Sequence, residues 1–190
     1  MTESKPIQMK RRMLYTPIFH IDTNRINARG KLDAMNQLEK WKKDRVILIN
    51  MSGVSFKEAQ VGNNPARTEK VFKQIFTTTD TSINKNDFLY KRIESTIFPN
   101  GIKNQNEEND VKIVYEAAHY QAILVTDDGS SQRQPGGILG HREELRDVVQ
   151  IMRDYEAVEF IKKKIAERDN YTRKAAETSG APIPDWVGKD

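Results

Sequence analysis

Residues 18–24 read Ile18-Phe-His-Ile21-Asp22-Thr23-Asn24. A short apolar run of β type ends abruptly in Asp-Thr-Asn. Pro17 stands before it, where a strand tolerates proline as its first residue. The same arrangement returns twice. Ile123-Leu-Val125 runs into Thr126-Asp127-Asp128, and Val46-Ile-Leu-Ile49 is followed by Ser52, Ser55 and Glu58. Compact apolar runs without strict alternation suit strands covered on both faces of a parallel sheet. Val148-Val-Gln-Ile-Met152 is a fourth candidate strand.

Helical spacing fills the intervals. Leu32, Met35, Leu38 and Trp41 form one stripe, and Val71, Phe72, Ile75 and Phe76 another. Leu89, Ile93 and Ile97 form a third, stopped by Pro99-Asn-Gly101. Ser55-Phe-Lys-Glu58 has the form of a capping box. Glu107 and Glu108 suit the start of a helix over 107–121, with Val111, Val114 and Ala118 as its stripe. Glu143–Asp147 reads as a helical turn, and Asp154 as the cap of a helix burying Val158, Ile161 and Ile165. Strands alternating with helices give right-handed βαβ units, hence an α/β fold with a mostly parallel sheet and helices on both faces. Such sheets bind ligands beyond the carboxyl ends of their strands.

Length and composition set the frame. One domain of 190 residues buries a sizeable core without staples. With no cysteine, disulfides, thiolate zinc sites and cysteine nucleophiles are excluded. No apolar run approaches the roughly 20 residues that span a bilayer, and the N-terminus lacks the apolar core of a secretory signal, so no membrane and a cytoplasmic location are expected. The net charge of +4 is uneven: residues 1–50 hold 11 basic and 5 acidic groups. A basic first quarter suits a polyanion partner or a solvated face. Residues 1–13 read as a flexible basic arm, 14–168 as the folded domain, and 169–190 as a C-terminal extension whose loose end Trp186 anchors.

The acids after the strands define the candidate chemistry. Asp22, Glu58, Asp127 and Asp128 follow strands, and Asp110 lies early in the helix that feeds the strand at Ile123. These places converge at one end of a parallel sheet. Packed carboxylates raise each other's pKa unless a cation joins them. Oxygen ligands without cysteine or a histidine pair favour Mg²⁺ or Mn²⁺ over zinc, and such an ion activates water and stabilises charge on a phosphate under in-line attack. Each acid also has a structural reading: Asp22 as a helix cap, Glu58 as the last member of its capping box, Asp110 as a helix-dipole acid, and Asp127-Asp128-Gly129 as a turn. Their joint occurrence favours one site over four accidents.

Ile21-Asp22-Thr23-Asn24, Ser52-x-x-Ser55-x-x-Glu58 and Asp110…Ile123-Leu-Val-Thr126-Asp-Asp128 together resemble the PIN-domain signature, over residues 15 to about 165. The resemblance implies a three-layer α/β/α sandwich with four to five strands, and a divalent-metal-dependent nuclease acting on single-stranded RNA. Carried over, Asp22, Glu58, Asp110 and Asp128 are the catalytic, metal-binding acids. Asn24 or Thr126 orients the cluster or its water, and Asp127 substitutes as a ligand or adds one. Ser130 stands where the family often has an aromatic, and the Gly129–Gly140 loop is long. The arm and the extension beyond the usual end weaken a reading as a small toxin of a toxin–antitoxin pair.

Other features are secondary. His20, His119 and His141 show no metal spacing. Gly136-Gly137…Gly140 lacks the Gly-Lys-Ser/Thr of a P-loop. Arg25, Arg29 and Arg133 are candidate phosphate contacts, with Lys31 close by; the alternative is a solvated helix face. Tyr15 and Tyr120 suit base stacking or packing. Aromatic helix faces suit a homodimer, and an inhibitory protein partner fits the resemblance. The rival to a nuclease is a catalytically weak or inactive PIN-like RNA-binding or scaffold module. A phosphoacceptor receiver is disfavoured, because Asp22 has no acidic neighbour and Arg153, not lysine, follows the last strand.

Overall fold

The computed structural model describes residues 12–61, 64–74, 78–79, 82–129 and 136–190. Most of the expected basic arm (residues 1–11), together with Ile75, Phe76 and Arg133, lies outside them. Five strands form one sheet: β1 (Phe19–Ile21), β2 (Ile49–Ser52), β3 (Thr78–Thr79), β4 (Ile123–Val125) and β5 (Gln150–Met152). Their order is β3-β2-β1-β4-β5, and every pairing is parallel. Helices α1 (Asp33–Lys43), α2 (Gly53–Gln60), α3 (Pro65–Gln74), α4 (Phe88–Ile97), α5 (Gln105–His119), α6 (Gly137–Gly140) and α7 (Asp154–Ser179) complete the fold.

The pleat divides the core. Phe19 and Ile21 of β1, with Ile123 and Val125 of β4, face α1 and α7 and pack with Leu38, Trp41 and Ile161. Leu124 and Ile151 point the other way, toward α4, α5 and α6, among Tyr90, Ile93, Val114 and Ile138. Adjacent strand residues therefore serve opposite layers, which explains why the runs carry no polar face. The result is a three-layer α/β/α sandwich. Fully burying one such side chain contributes about 1.5–3 kcal/mol, so both layers are strongly held.

Three local expectations are corrected. The second strand pairs at Ile49–Ser52 rather than 46–49. Val46 and Ile47 are buried as its lead-in, while Leu48 is about half exposed. The cap of α2 is Ser52, whose hydroxyl accepts from Ser55 N–H at 2.9 Å; Ser55 is already helical, so Glu58 is not part of a capping box. Strand β3, only two residues long, carried no apolar signal. Arg153 rather than Asp154 caps α7, which runs to Ser179 and ends at Gly180 in the left-handed region. Beyond it the chain folds back: the Arg168 guanidinium lies 4.6 Å from the Trp186 ring centre, and Asp169 accepts from Gly188 N–H at 2.8 Å. Trp186 anchors this segment as its position suggested.

Among the described residues, no helix is long and apolar enough to cross a membrane.

Candidate acidic site at the sheet's carboxyl end

The chain leaves β1 toward β2 and β3 on one side and returns to β4 and β5 on the other. The strand order therefore reverses between β1 and β4, and the crevice beyond their carboxyl ends is the expected ligand position. Asp22 sits at its mouth. Its backbone N–H donates to Val125 carbonyl at 3.0 Å, tying it to the end of β4. Its carboxylate divides its work. Oδ1 accepts from Thr23 N–H at 2.5 Å, capping the single 3-10 turn Thr23–Arg25. Oδ2 accepts from Thr126 Oγ1 at 2.7 Å and Asn24 Nδ2 at 2.8 Å. Asp22 thus caps a helical turn and also bonds across to Thr126 at the end of β4.

Thr126 is the hub between strands. Besides donating to Asp22 it accepts from Asp128 N–H at 3.0 Å and from Asn24 Nδ2 at 3.1 Å. Asp128 Oδ2 accepts from Ile138 N–H at 2.8 Å, so α6 holds this carboxylate in place. Gly129 and Gly137 make that approach feasible. A Cβ on Gly129 would overlap the Gly136 carbonyl, and one on Gly137 would overlap Asp128 Oδ2.

Glu58 comes from the second turn of α2. Oε2 accepts from Thr23 Oγ1 at 2.8 Å and Oε1 from Asn109 Nδ2 at 2.7 Å. The same helix is braced from below by buried Glu116, which accepts from Gly53 N–H at 2.9 Å. Asp110, beside Asn109 on α5, has neither a hydrogen bond nor an ion pair among the described residues. Burial, followed by the charges of Asp128, Asp22 and Glu58, pushes its carboxyl up to about 8. Burial likewise raises Asp22 to about 6, although the Thr126 and Thr23 hydrogen bonds oppose the rise and Glu58 and Asp128 add to it. These four acids sense one another electrostatically, which scattered surface charges would not.

Asp127 is placed differently. It pairs with Arg25 at 3.2 Å and Arg153 at 3.6 Å, while its N–H donates to Asn24 Oδ1. Arg25 also pairs with Asp154 at 3.2 Å. Both side chains are therefore committed to an ion network beside the cluster. Arg29 and Lys31 are exposed with no ion-pair partner among the described residues. Thr23, Asn109 and Arg67, which donates to Thr23 carbonyl at 2.7 Å, were not singled out from sequence. Of these, only Thr23 carried a signal, lying between two motif residues.

The donor set suits a hard divalent cation: four carboxylates, no thiol, and one partly buried carboxyl, Asp110, without a donor among the described residues. It is not a closed cage. Among the described residues, no three acids or histidines are disposed to hold an ion as they stand. Six hydrogen bonds from five neighbouring residues engage three of the carboxylates. The fit is chemical, and side-chain rotation is needed to complete it.

No family model matches the chain, and no curated protein matches it. Among solved structures it is similar to a chain in the structure of VapBC-1 from nontypeable Haemophilus influenzae. The match has 17% identity and a TM-score of 0.44, and it covers 73% of this chain and 98% of that one.

Proposed function

We propose that this protein is a divalent-cation-dependent nuclease of PIN-domain type, hydrolysing phosphodiesters of single-stranded RNA. The observation that carries the reading is the meeting of Asp22, Glu58, Asp110 and Asp128 at the topological switch point. They arrive from four separate elements, and two of them have raised pKa values. Mg²⁺ or Mn²⁺ bound there would supply Lewis acidity toward the scissile phosphate and lower the pKa of water.

The protein's own residues supply orientation. Thr126 and Asn24 fix the plane of the Asp22 carboxylate, and Thr23 and Asn109 fix Glu58. Asp110 holds its proton at neutral pH until positive charge compensates the cluster. Deprotonated, it adds a fourth negative group at the crevice. The uncommitted cations Arg29 and Lys31 offset the repulsion between these acids and a phosphate backbone.

End-group analysis of the products of single-stranded RNA tests the reaction class. Hydrolysis by water gives linear phosphate and hydroxyl termini. A cyclic phosphate terminus would show attack by the ribose hydroxyl and overturn the reading. A calorimetric Mn²⁺ titration separates the nuclease from a binding module. Heat that disappears in Asp22→Asn supports the nuclease, and a flat titration of the unsubstituted protein supports the module.

A further inference from the structure

A groove of about 360 Å³ opens beside the acids, between the segment that links β1 to α1 and the start of α3. Thr23 and Asn24 form its inner end, and Arg29, Lys31, Asn64 and Arg67 line its length. The same Thr23-Asn24 pair holds Asp22 and Glu58, so the groove and the acidic crevice share these two residues.

Charge distinguishes this flank from the other. On the β5 side, Arg25 and Arg153 are neutralised by Asp127 and Asp154. In the groove, Arg29, Lys31 and Arg67 have no carboxylate partner among the described residues. Arg67 spends one Nη2 bond on the Thr23 carbonyl, which holds its stem against the crevice and fixes its charge at the groove. Three unpaired cations lead outward from a cluster of acids. This pattern attracts a chain of phosphates along one flank while the acids keep anions out of the centre.

We infer that this groove seats the sugar-phosphate backbone of a single-stranded nucleic acid on one side of the scissile bond. Arg29, Lys31 and Arg67 are the phosphate contacts, and the Arg25 side contributes none. The inference rests on the nuclease reading and adds the path of the strand to it. Neutralising three phosphates of a single strand gives a slope of log affinity against log salt near −0.7 per contact, hence about −2 in all. Doubling the salt then weakens binding roughly fourfold.

The test is binding of a fluorescent single-stranded oligoribonucleotide, and of its deoxy counterpart, in EDTA at several salt concentrations. EDTA keeps hydrolysis out of the measurement. Arg29→Ala/Lys31→Ala is expected to weaken binding at least tenfold and to flatten the slope by about 1.4. Arg67→Gln tests the third contact separately, because it also touches Thr23. Lys163→Ala/Lys174→Ala removes the same charge from α7, outside the groove, and is expected to leave slope and affinity unchanged. An unchanged slope in Arg29→Ala/Lys31→Ala overturns the inference. Equal weakening in the α7 control overturns it too, since net charge alone would then explain binding. A groove-dependent loss of binding with no Mn²⁺-dependent cleavage by the unsubstituted protein supports the groove and removes the hydrolytic reading. Cleavage without groove-dependent binding does the reverse.

Discussion

Two ionisable side chains, His20 buried and Asp110 partly buried, pull the stability of the cation-free protein in opposite directions. Asp110 keeps its proton up to about pH 8 in the fold, whereas a free aspartate loses it near 3.8. The folded state thus holds more protons between those values, and stability rises as pH falls from about 8. His20, one strand residue before Ile21, behaves oppositely. Its Nε2 meets Thr79 Oγ1 at 3.3 Å, its Nδ1 has no partner among the described residues, and burial lowers its pKa to about 4. The unfolded chain takes up that proton from about 6.5 downward, so His20 costs stability as pH falls toward 4. Thermal melts in EDTA should therefore gain stability as pH falls from 8 to 6.5, and below 6.5 His20 offsets the continuing gain from Asp110. Asp110→Asn should raise the melting temperature at pH 8 and abolish the gain between pH 8 and 6.5. A lower melting temperature for Asp110→Asn at pH 8 would show that its carboxylate is already compensated. In His20→Gln the gain below pH 6.5 should be steeper than in the unsubstituted protein, and an unchanged slope would place the acid sensitivity elsewhere.

At the level of elements, the loop after β4 controls one acid through backbone. Asp128 accepts from Ile138 N–H only because Gly129 and Gly137 let the two ends of the loop touch. Gly137 also lies at φ 45°, where a side chain is strained. Gly137→Ala should displace the Asp128 carboxylate and lower Mn²⁺ affinity at least tenfold, with a stability loss of about 1–3 kcal/mol. Unchanged Mn²⁺ affinity in a folded Gly137→Ala protein would remove Asp128 from the cation site. The glycines were legible as a loop, but their contact was not, because sequence spacing does not reveal which backbone atoms meet. Glu58 shows the same limit. Its spacing from Ser55 matches a capping box, yet Ser52 caps α2 and frees Glu58 to meet Thr23 and Asn109. Local propensity alone gave the competing reading; tertiary partners decided it.

Across the whole molecule, the apolar runs announced the parallel sheet because both its faces are covered, and residues of alternate parity feed separate cores. Strand order was not readable from those runs. It emerges from pairing, and it brings Asp22 beside Thr126, 104 residues apart, at the switch point. The four acids were legible because each stands just after a strand or early in a helix feeding one. The roles of Arg25 and Asp127 were not, since opposite charges far apart in the chain neutralise each other only once folded. The distribution of unpaired charge, rather than the net +4, therefore describes how the molecule would meet a polyanion.

A four-acid crevice that hydrolyses RNA with the help of a divalent cation must lose that activity when the cation or one of its acids is removed. The most direct measurement is the rate of single-stranded RNA cleavage, with Mn²⁺ and with EDTA, by the unsubstituted protein and by Asp22→Asn. Mn²⁺-dependent cleavage is expected, falling at least a hundredfold in Asp22→Asn while the fold, read by circular dichroism, is retained. Equal rates for the two proteins, or cleavage that persists in EDTA, would contradict it.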